Sequence, residues 1–353
     1  MKFGVFFLLG SPQMLPAEEI YRRTFTQVEL AEALGFDSVW FAEHHFSNYG
    51  FVPNPLMLAG TVGRSTSRVR IGTAVLVLPF WHPLRVAEDI ATADQLCGGR
   101  LDVGVARGYQ PYEFARFGLS QDESRERTDE TLEILLLALT QESFSFDGRY
   151  YSIPETTIFP RPLQRPHPPI WLAAHTRESF AIAVRLGLKA ITTNSARPIA
   201  ALQEGWQAFQ TARRQAGQDG PTEFAVQAHV IVGRTDDEAR ELTRHSLYAF
   251  RQVASLRAGR QHIVNGYSEP HPVIDEPSLD ELFANRTLSG SPATVRAKLE
   301  RFRAVCGMTA LNCTFQLGSM EPETVQRSMR LFAEEVMPAF RSQPIAAGTG
   351  DAP

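Results

Sequence analysis

Residues 39–46 read VWFAEHHF, an apolar run that ends in one carboxylate and two imidazoles. Histidine moves protons near neutral pH without help from its surroundings, so this stretch is the first candidate for acid–base chemistry. Side chains alternate along a strand: Ala42 and His44 share one face, while Phe41, Glu43 and His45 share the other. Small Ala42 suits a crowded interior, which turns His44 inward and leaves Glu43 and His45 toward an outer layer in supporting roles. A second reading stands beside it, in which His44 merely caps the strand or anchors a loop.

Other strand ends carry further candidates. VLPFWHP places His82 between Pro79 and Pro83, as a binding group or as a rigid-turn histidine. GVARGYQPYEF sets Arg107 and Gly108 directly after a strand, a guanidinium beside a residue that lets a phosphate approach the backbone. AAHTRES puts Thr176 and Ser179 at a helix start, where free N–H groups and hydroxyls can receive an anion. Thr176 as an ordinary N-cap is the alternative. Jointly, Arg107, Thr176 and Ser179 would form a phosphate cradle opposite His44. No metal spacing accompanies them, since His44 and His45 are adjacent rather than at i, i+4.

The elements that must position these groups alternate regularly. Strand-like runs fall at 3–9, 37–42, 69–78, 101–106, 170–174, 188–193, 224–232 and 308–315, with a hairpin around Asp147-Gly148. Helical patterns follow at 18–34, 55–64, 84–96, 120–139, 177–186, 198–216, 235–258, 292–305 and 322–340. Eight strands separated by helices predict an α/β chain folded as a (β/α)8 TIM barrel with insertions, whose active site gathers at the C-terminal strand ends. The rival, an open doubly wound sheet, lacks a G-x-G-x-x-G after its first strand. One domain over 1–341 and a disordered tail over 342–353 are expected. Residues 259–290 show little periodicity, the mark of a functional or disordered loop.

Composition narrows the partners. A net charge of −4, from 35 basic and 39 acidic residues, provides no field for nucleic acid. The apolar start MKFGVFFLLG is short and lacks a cleavage site, so it reads as a first strand; no segment has the length of a membrane span. Cys97, Cys306 and Cys313 have no ligand spacing and suit a reducing, cytoplasmic setting.

The blocks MKFGVFF, EHHF, VRIGTAVLVLPFWHP, VAEDIATADQLCGGRLDVGVARGY and LFAEEVMPAF, in this order, resemble the bacterial luciferase-like flavin monooxygenase family over most of residues 1–340. The resemblance implies a (β/α)8 barrel that binds reduced FMN (FMNH2) at its mouth and reacts it with O2 to a C4a-peroxide. It implies His44 as the catalytic histidine, Arg107 on the flavin phosphate, and Thr176 and Ser179 as hydroxyls near that phosphate. A non-prolyl cis peptide at Ala74–Val75 would back the isoalloxazine, with Ala106, Gly108, Tyr109, Ala174 and His175 completing the cofactor site. Some luciferases carry a cysteine at Ala106 and an acid at His175; the first change removes a thiol, and the second adds a possible cation near the phosphate. Residues 259–290 correspond to the family's mobile loop and read as an active-site lid.

The expected function is therefore a two-component monooxygenase supplied with FMNH2 by a separate flavin reductase, the chain itself having no nicotinamide fingerprint. The resemblance implies a homodimer. Phe6, Phe46, Tyr49, Trp81, His82, Tyr109 and Tyr112 are candidates for a pocket that takes an apolar or carbonyl-containing substrate. Two alternatives are a deazaflavin-dependent hydride-transfer enzyme and a non-catalytic flavin-binding subunit. Presence of His44 together with Arg107 argues against the second.

Overall fold

A computed structural model describes residues 1–194 and 196–341; the expected tail over 342–353 lies outside them. Eight parallel strands close a barrel: β1 (Lys2–Phe7), β2 (Ser38–Phe41), β3 (Arg70–Val77), β4 (Leu101–Ala106), β5 (Ile170–Ala173), β6 (Lys189–Thr193), β7 (Phe224–Val232) and β8 (Ala310–Thr314). Each pairs with the next, and β8 returns to β1 through registers such as Val5 opposite Cys313. The fold is a (β/α)8 TIM barrel. Among the described residues no helix is long and apolar enough to cross a membrane.

Local signals account for the helix boundaries. Helix Ala17–Ala33 stops at Gly35, whose φ of +85° is a left-handed conformation that glycine adopts without penalty. Helix Pro55–Ser65 starts where the Asn54 side chain accepts from the amides of Leu56 and Met57. Three helical expectations change in detail. The stretch expected as helix 120–139 is helix Ser124–Thr140, preceded by a short helix, Pro111–Arg116, that matters below. The expected helix 235–258 is divided at Thr243 into Asp236–Leu242 and Arg244–Arg257. The last helix widens to π geometry over Phe332–Val336, just before Pro338, whose ring nitrogen cannot donate to the preceding turn.

Residues 259–290 carry more order than their aperiodic sequence suggests. Ile263–Val264 and Tyr267–Ser268 form a small hairpin, and Leu288–Gly290 pairs in parallel with the upper end of β7. The hairpin grips Asn48: the Asn48 amide donates to the Gly266 carbonyl at 2.7 Å, and the Ser268 amide donates to Asn48 Oδ1 at 3.0 Å. This segment thus lies on the loop that follows β2.

Two apolar regions build the interior. A large one fills the sleeve between strands and helices and takes in Cys97, Cys306 and Cys313 as buried free thiols. A small one sits inside the barrel, where the Trp40 and Trp171 rings meet edge to face at 5.7 Å. Gly72 is required beside Trp40, because a Cβ there would come within 2.1 Å of the indole. Trp171 donates its indole N–H to Asp102 at 3.1 Å, and Arg70 holds the other Asp102 oxygen at 2.5 Å. Above the two indoles, Phe6, Ala74 and Ala173 both pack on them and line a cavity.

Candidate active site

That cavity has a volume of about 570 Å³, within the roughly 300–1,000 Å³ usual for small-molecule sites. It opens at the C-terminal strand ends. His44, from the exit of β2, and Arg107, from the exit of β4, both line it.

The His44 imidazole is held from behind. Its Nδ1 lies 3.1 Å from Glu113 Oε1, and the same oxygen accepts the His45 amide at 2.9 Å. Glu113 is buried and projects from helix Pro111–Arg116, which Pro111 starts directly after the β4 loop. With a carboxylate as partner, Nδ1 carries the proton. The Gln110 Nε2 atom lies 2.9 Å from the same nitrogen, and the buried Gln110 Oε1 has no hydrogen-bond partner among the described residues. His44 Nε2, with no partner among the described residues, is left as a proton acceptor toward the cavity that His44 lines. Tyr49 packs on the imidazole at 4.4 Å between centroids, and its hydroxyl meets that of Tyr109 at 3.0 Å. Burial pushes the Tyr49 phenol up to about 12 and Tyr109 well above its ordinary value, so both remain protonated donors.

Glu43 and His45 take the supporting roles that alternation assigns them. The Glu43 carboxylate accepts from His45 Nε2 at 2.9 Å, the Val77 amide at 2.9 Å and the Trp81 indole at 3.0 Å. Burial pushes this carboxyl above the ordinary range, and the three donors pull against that shift. These bonds tie the end of β2 to the end of β3.

The end of the cavity where a phosphate was expected holds Arg107 and the start of helix Arg177–Arg185. Arg107 is exposed to the cavity and makes no hydrogen bond or ion pair among the described residues. Thr176 lines the cavity and also caps the helix: its hydroxyl accepts the Ser179 amide at 3.2 Å, and Ser179 Oγ accepts the Thr176 amide at 3.0 Å. The capping reading therefore holds, and Ser179 is spent on the helix; neither it nor Ala174 lines the cavity. β3 and β4 lose register between Thr73 and Leu76, and the Ala74–Val75 peptide is cis, as the resemblance implied. Gly104 makes room, since a Cβ there would meet the Thr73 carbonyl oxygen at 2.1 Å.

Several expectations are corrected. His175 is no cation: enclosed by protein though open to the cavity, it is pushed down to about 3 by burial and by the Arg197 and Arg257 charges. Its Nδ1 instead pairs with the Thr192 hydroxyl at 3.0 Å. Of the expected substrate-pocket residues, Phe6, Tyr49 and Tyr109 line the cavity, and Phe46, Trp81, His82 and Tyr112 do not. Phe46 turns outward against His45 and Phe117, 47% exposed, and Trp81 is committed to Glu43. His82 packs edge-on against Tyr151 at 5.9 Å, and Tyr112 lies under the Arg116 guanidinium at 3.2 Å. All four stand beyond the strand ends, where the chain has already turned into loops and helices. The groups not anticipated are Gln110, Glu113, Arg197, Gln227, His229 and Arg257. Glu113 had one available signal, the Pro111 helix start that places it three residues after Gln110 on the same face.

Comparison with known proteins identifies the family. The family model described as luciferase-like monooxygenase matches residues 1–308. An uncharacterised protein of Sinorhizobium fredii is 33% identical over 351 residues, covering 97% of this chain and 98% of that protein. The oxygenase component of the flavin-dependent trigonelline monooxygenase of Acinetobacter baylyi is 26% identical, with 92% and 91% covered. A crystal structure of the monooxygenase RslO1 from Streptomyces bottropensis superposes with a TM-score of 0.85 at 30% identity, over 96% of this chain and 100% of that one. A barrel with two indoles packed inside it, and a carboxylate-backed histidine and a free guanidinium at its C-terminal strand ends, is thus an enzyme of the luciferase-like monooxygenase family.

Proposed function

We propose that the chain is the oxygenase component of a two-component monooxygenase, which takes reduced FMN from a separate flavin reductase and uses O2 to oxygenate a small organic substrate. One observation carries this reading: the unpaired Arg107 guanidinium and the Glu113-backed His44 line the same cavity. The residues present suit FMN, because a buried-sided pocket with an unpaired cation and a helix N-terminus is matched by a phosphate-bearing ligand. Reduced FMN, when bound, supplies the electrons that activate O2.

The chain's own groups position, shield and move protons. Arg107 and the Thr176 region would hold the phosphate, and the small Ala74 and Ala106 leave the wall flat enough for a planar ring. His44 Nε2 would accept and return a proton, with Glu113 keeping the other ring nitrogen protonated. The segment 259–290, lying on the loop after β2, would act as a lid that excludes water. Residues 1–341 form one functional unit in this reading, and a homodimer is its expected assembly, readable by sedimentation.

Anaerobic titration of photoreduced FMN tests the proposal. Wild-type protein should bind it, and Arg107→Met should bind it at least about tenfold more weakly, the loss of a charge-assisted hydrogen bond. Admitting O2 with a substrate panel should then yield oxygenated product. Binding of reduced deazaflavin in preference to reduced FMN, with no oxygen consumed, would overturn it in favour of hydride transfer.

A further inference from the structure

The cavity holds more positive charge than one phosphate accounts for. Arg107, Arg125, Arg197 and Arg257 all line it. Arg125 is paired with Glu178 at 3.0 Å, and Arg107 belongs to the phosphate end. Arg197 and Arg257 have no side-chain hydrogen bond or ion pair among the described residues. The acidic side chains lining the cavity are committed elsewhere. Glu43 is held by His45, Val77 and Trp81, Glu113 by His44 and His45, and Asp129 lies in the fields of Arg125 and Arg185.

The pair stands close to His175, next to Thr176, and Arg257 also reaches the His44 side of the cavity. The Arg257 guanidinium lies over the Tyr109 ring at 5.3 Å, the Tyr109 hydroxyl meets Tyr49 at 3.0 Å, and Tyr49 packs on His44. Arg257 is therefore joined by contact to the reacting histidine, whereas Arg107 is placed with the β4 exit. The Arg197 guanidinium is partly buried, and burial and the Arg257 charge both press against its protonated form. Two cations that repel each other in a half-enclosed pocket are an unfavourable arrangement until an anion joins them. Neutral His175 stands by them and adds no counter-charge.

We infer that Arg197 and Arg257 form a substrate-anion site, and that the substrate is a small molecule with an apolar or aromatic body and one carboxylate. The body would rest against Phe6 and the phenol rings, and the carboxylate would take the two guanidinia, which hold planar oxyanions in bidentate fashion. This rests on the monooxygenase reading for the identity of the reaction, and on the cavity alone for the anion.

Calorimetric titration of the protein, with and without FMN, using benzoate and its neutral counterpart benzamide tests the inference. Wild type should bind benzoate at least about tenfold more tightly than benzamide. Arg257→Met and Arg197→Met should lose that preference, Arg257→Lys should recover part of it, and both Met variants should bind FMN within about twofold of wild type. Arg107→Met should do the reverse, losing FMN and keeping the benzoate preference. Equal binding of benzoate and benzamide to wild type overturns the site, as does loss of FMN binding in the Arg197 and Arg257 variants, which would give these guanidinia to the phosphate. Should wild type fail to bind FMN while the benzoate preference persists, the flavin reading falls and the anion site stands.

Discussion

Two histidine–carboxylate pairs stand side by side at the end of β2, and they do different work. His44 meets Glu113, a carboxylate from a helix about seventy residues further on, and keeps its other nitrogen on the cavity. His45 meets Glu43, two residues before it, in a bond that also recruits Val77 and Trp81 and stitches two strand ends together. The chemistry of each pair is the same. What separates them is which side of the strand the imidazole leaves from, and whether its free nitrogen meets open space or the wall. A histidine–carboxylate pair by itself is thus no sign of catalysis; the exposed nitrogen is.

The contrast can be broken in order of expected effect. Replacing His44 with Ala should lower turnover by about 10²–10⁴, the range of general acid–base catalysis, while FMN affinity and melting temperature stay near wild type. Unchanged turnover would remove His44 from the chemistry. Glu43→Ala should act the opposite way, destabilising the fold by about 3–5 kcal/mol because two buried donors and the half-buried Trp81 indole lose their acceptor. Denaturant midpoints read this directly, and a stable variant with lost turnover would exchange the roles of the two pairs.

A third imidazole sharpens the comparison because it has no carboxylate at all. His229, on β7, is buried beside the cavity with Nδ1 unpartnered, and burial pushes it down to about 4 from an ordinary 6.5. Between those values the unfolded chain binds more protons, so the contribution of His229 to stability is complete above pH 6.5 and disappears as pH falls toward 4. The drop corresponds to up to about 3 kcal/mol. His229→Leu should flatten the acid limb of a plot of stability against pH, and an unaltered limb would assign it to other groups.

Much of the scaffold was legible along the chain. All eight barrel strands stand within two residues of their apolar runs, and Gly35 and Asn54 mark helix ends by local backbone and cap geometry. These features depend on neighbours close in sequence, through side-chain alternation, capping and turn geometry. His44, Arg107 and Thr176 were legible for a related reason: the end of a barrel strand always points to the same face. The misplaced residues, Phe46, Trp81, His82 and Tyr112, lie four to six residues past strand ends, further than His44, Arg107 and Thr176, where alternation no longer constrains direction. Trp81 shows the consequence, turning back to Glu43 rather than forward into the pocket.

Charge balance shows the same boundary. Arg197 and Arg257 carry no local motif, and whether an arginine is paired depends on which acids the fold brings near it. His175 read as a possible cation in sequence, yet burial among arginines keeps it neutral. The identity and order of the strands, the inward imidazole and the cavity-lining arginine follow from the chain's own periodicity, because these obey short-range geometry. The carboxylate behind His44, the neutrality of His175 and the two uncompensated guanidinia were decided by closure of the barrel, because solvation and Coulomb energy depend on groups that meet only in three dimensions.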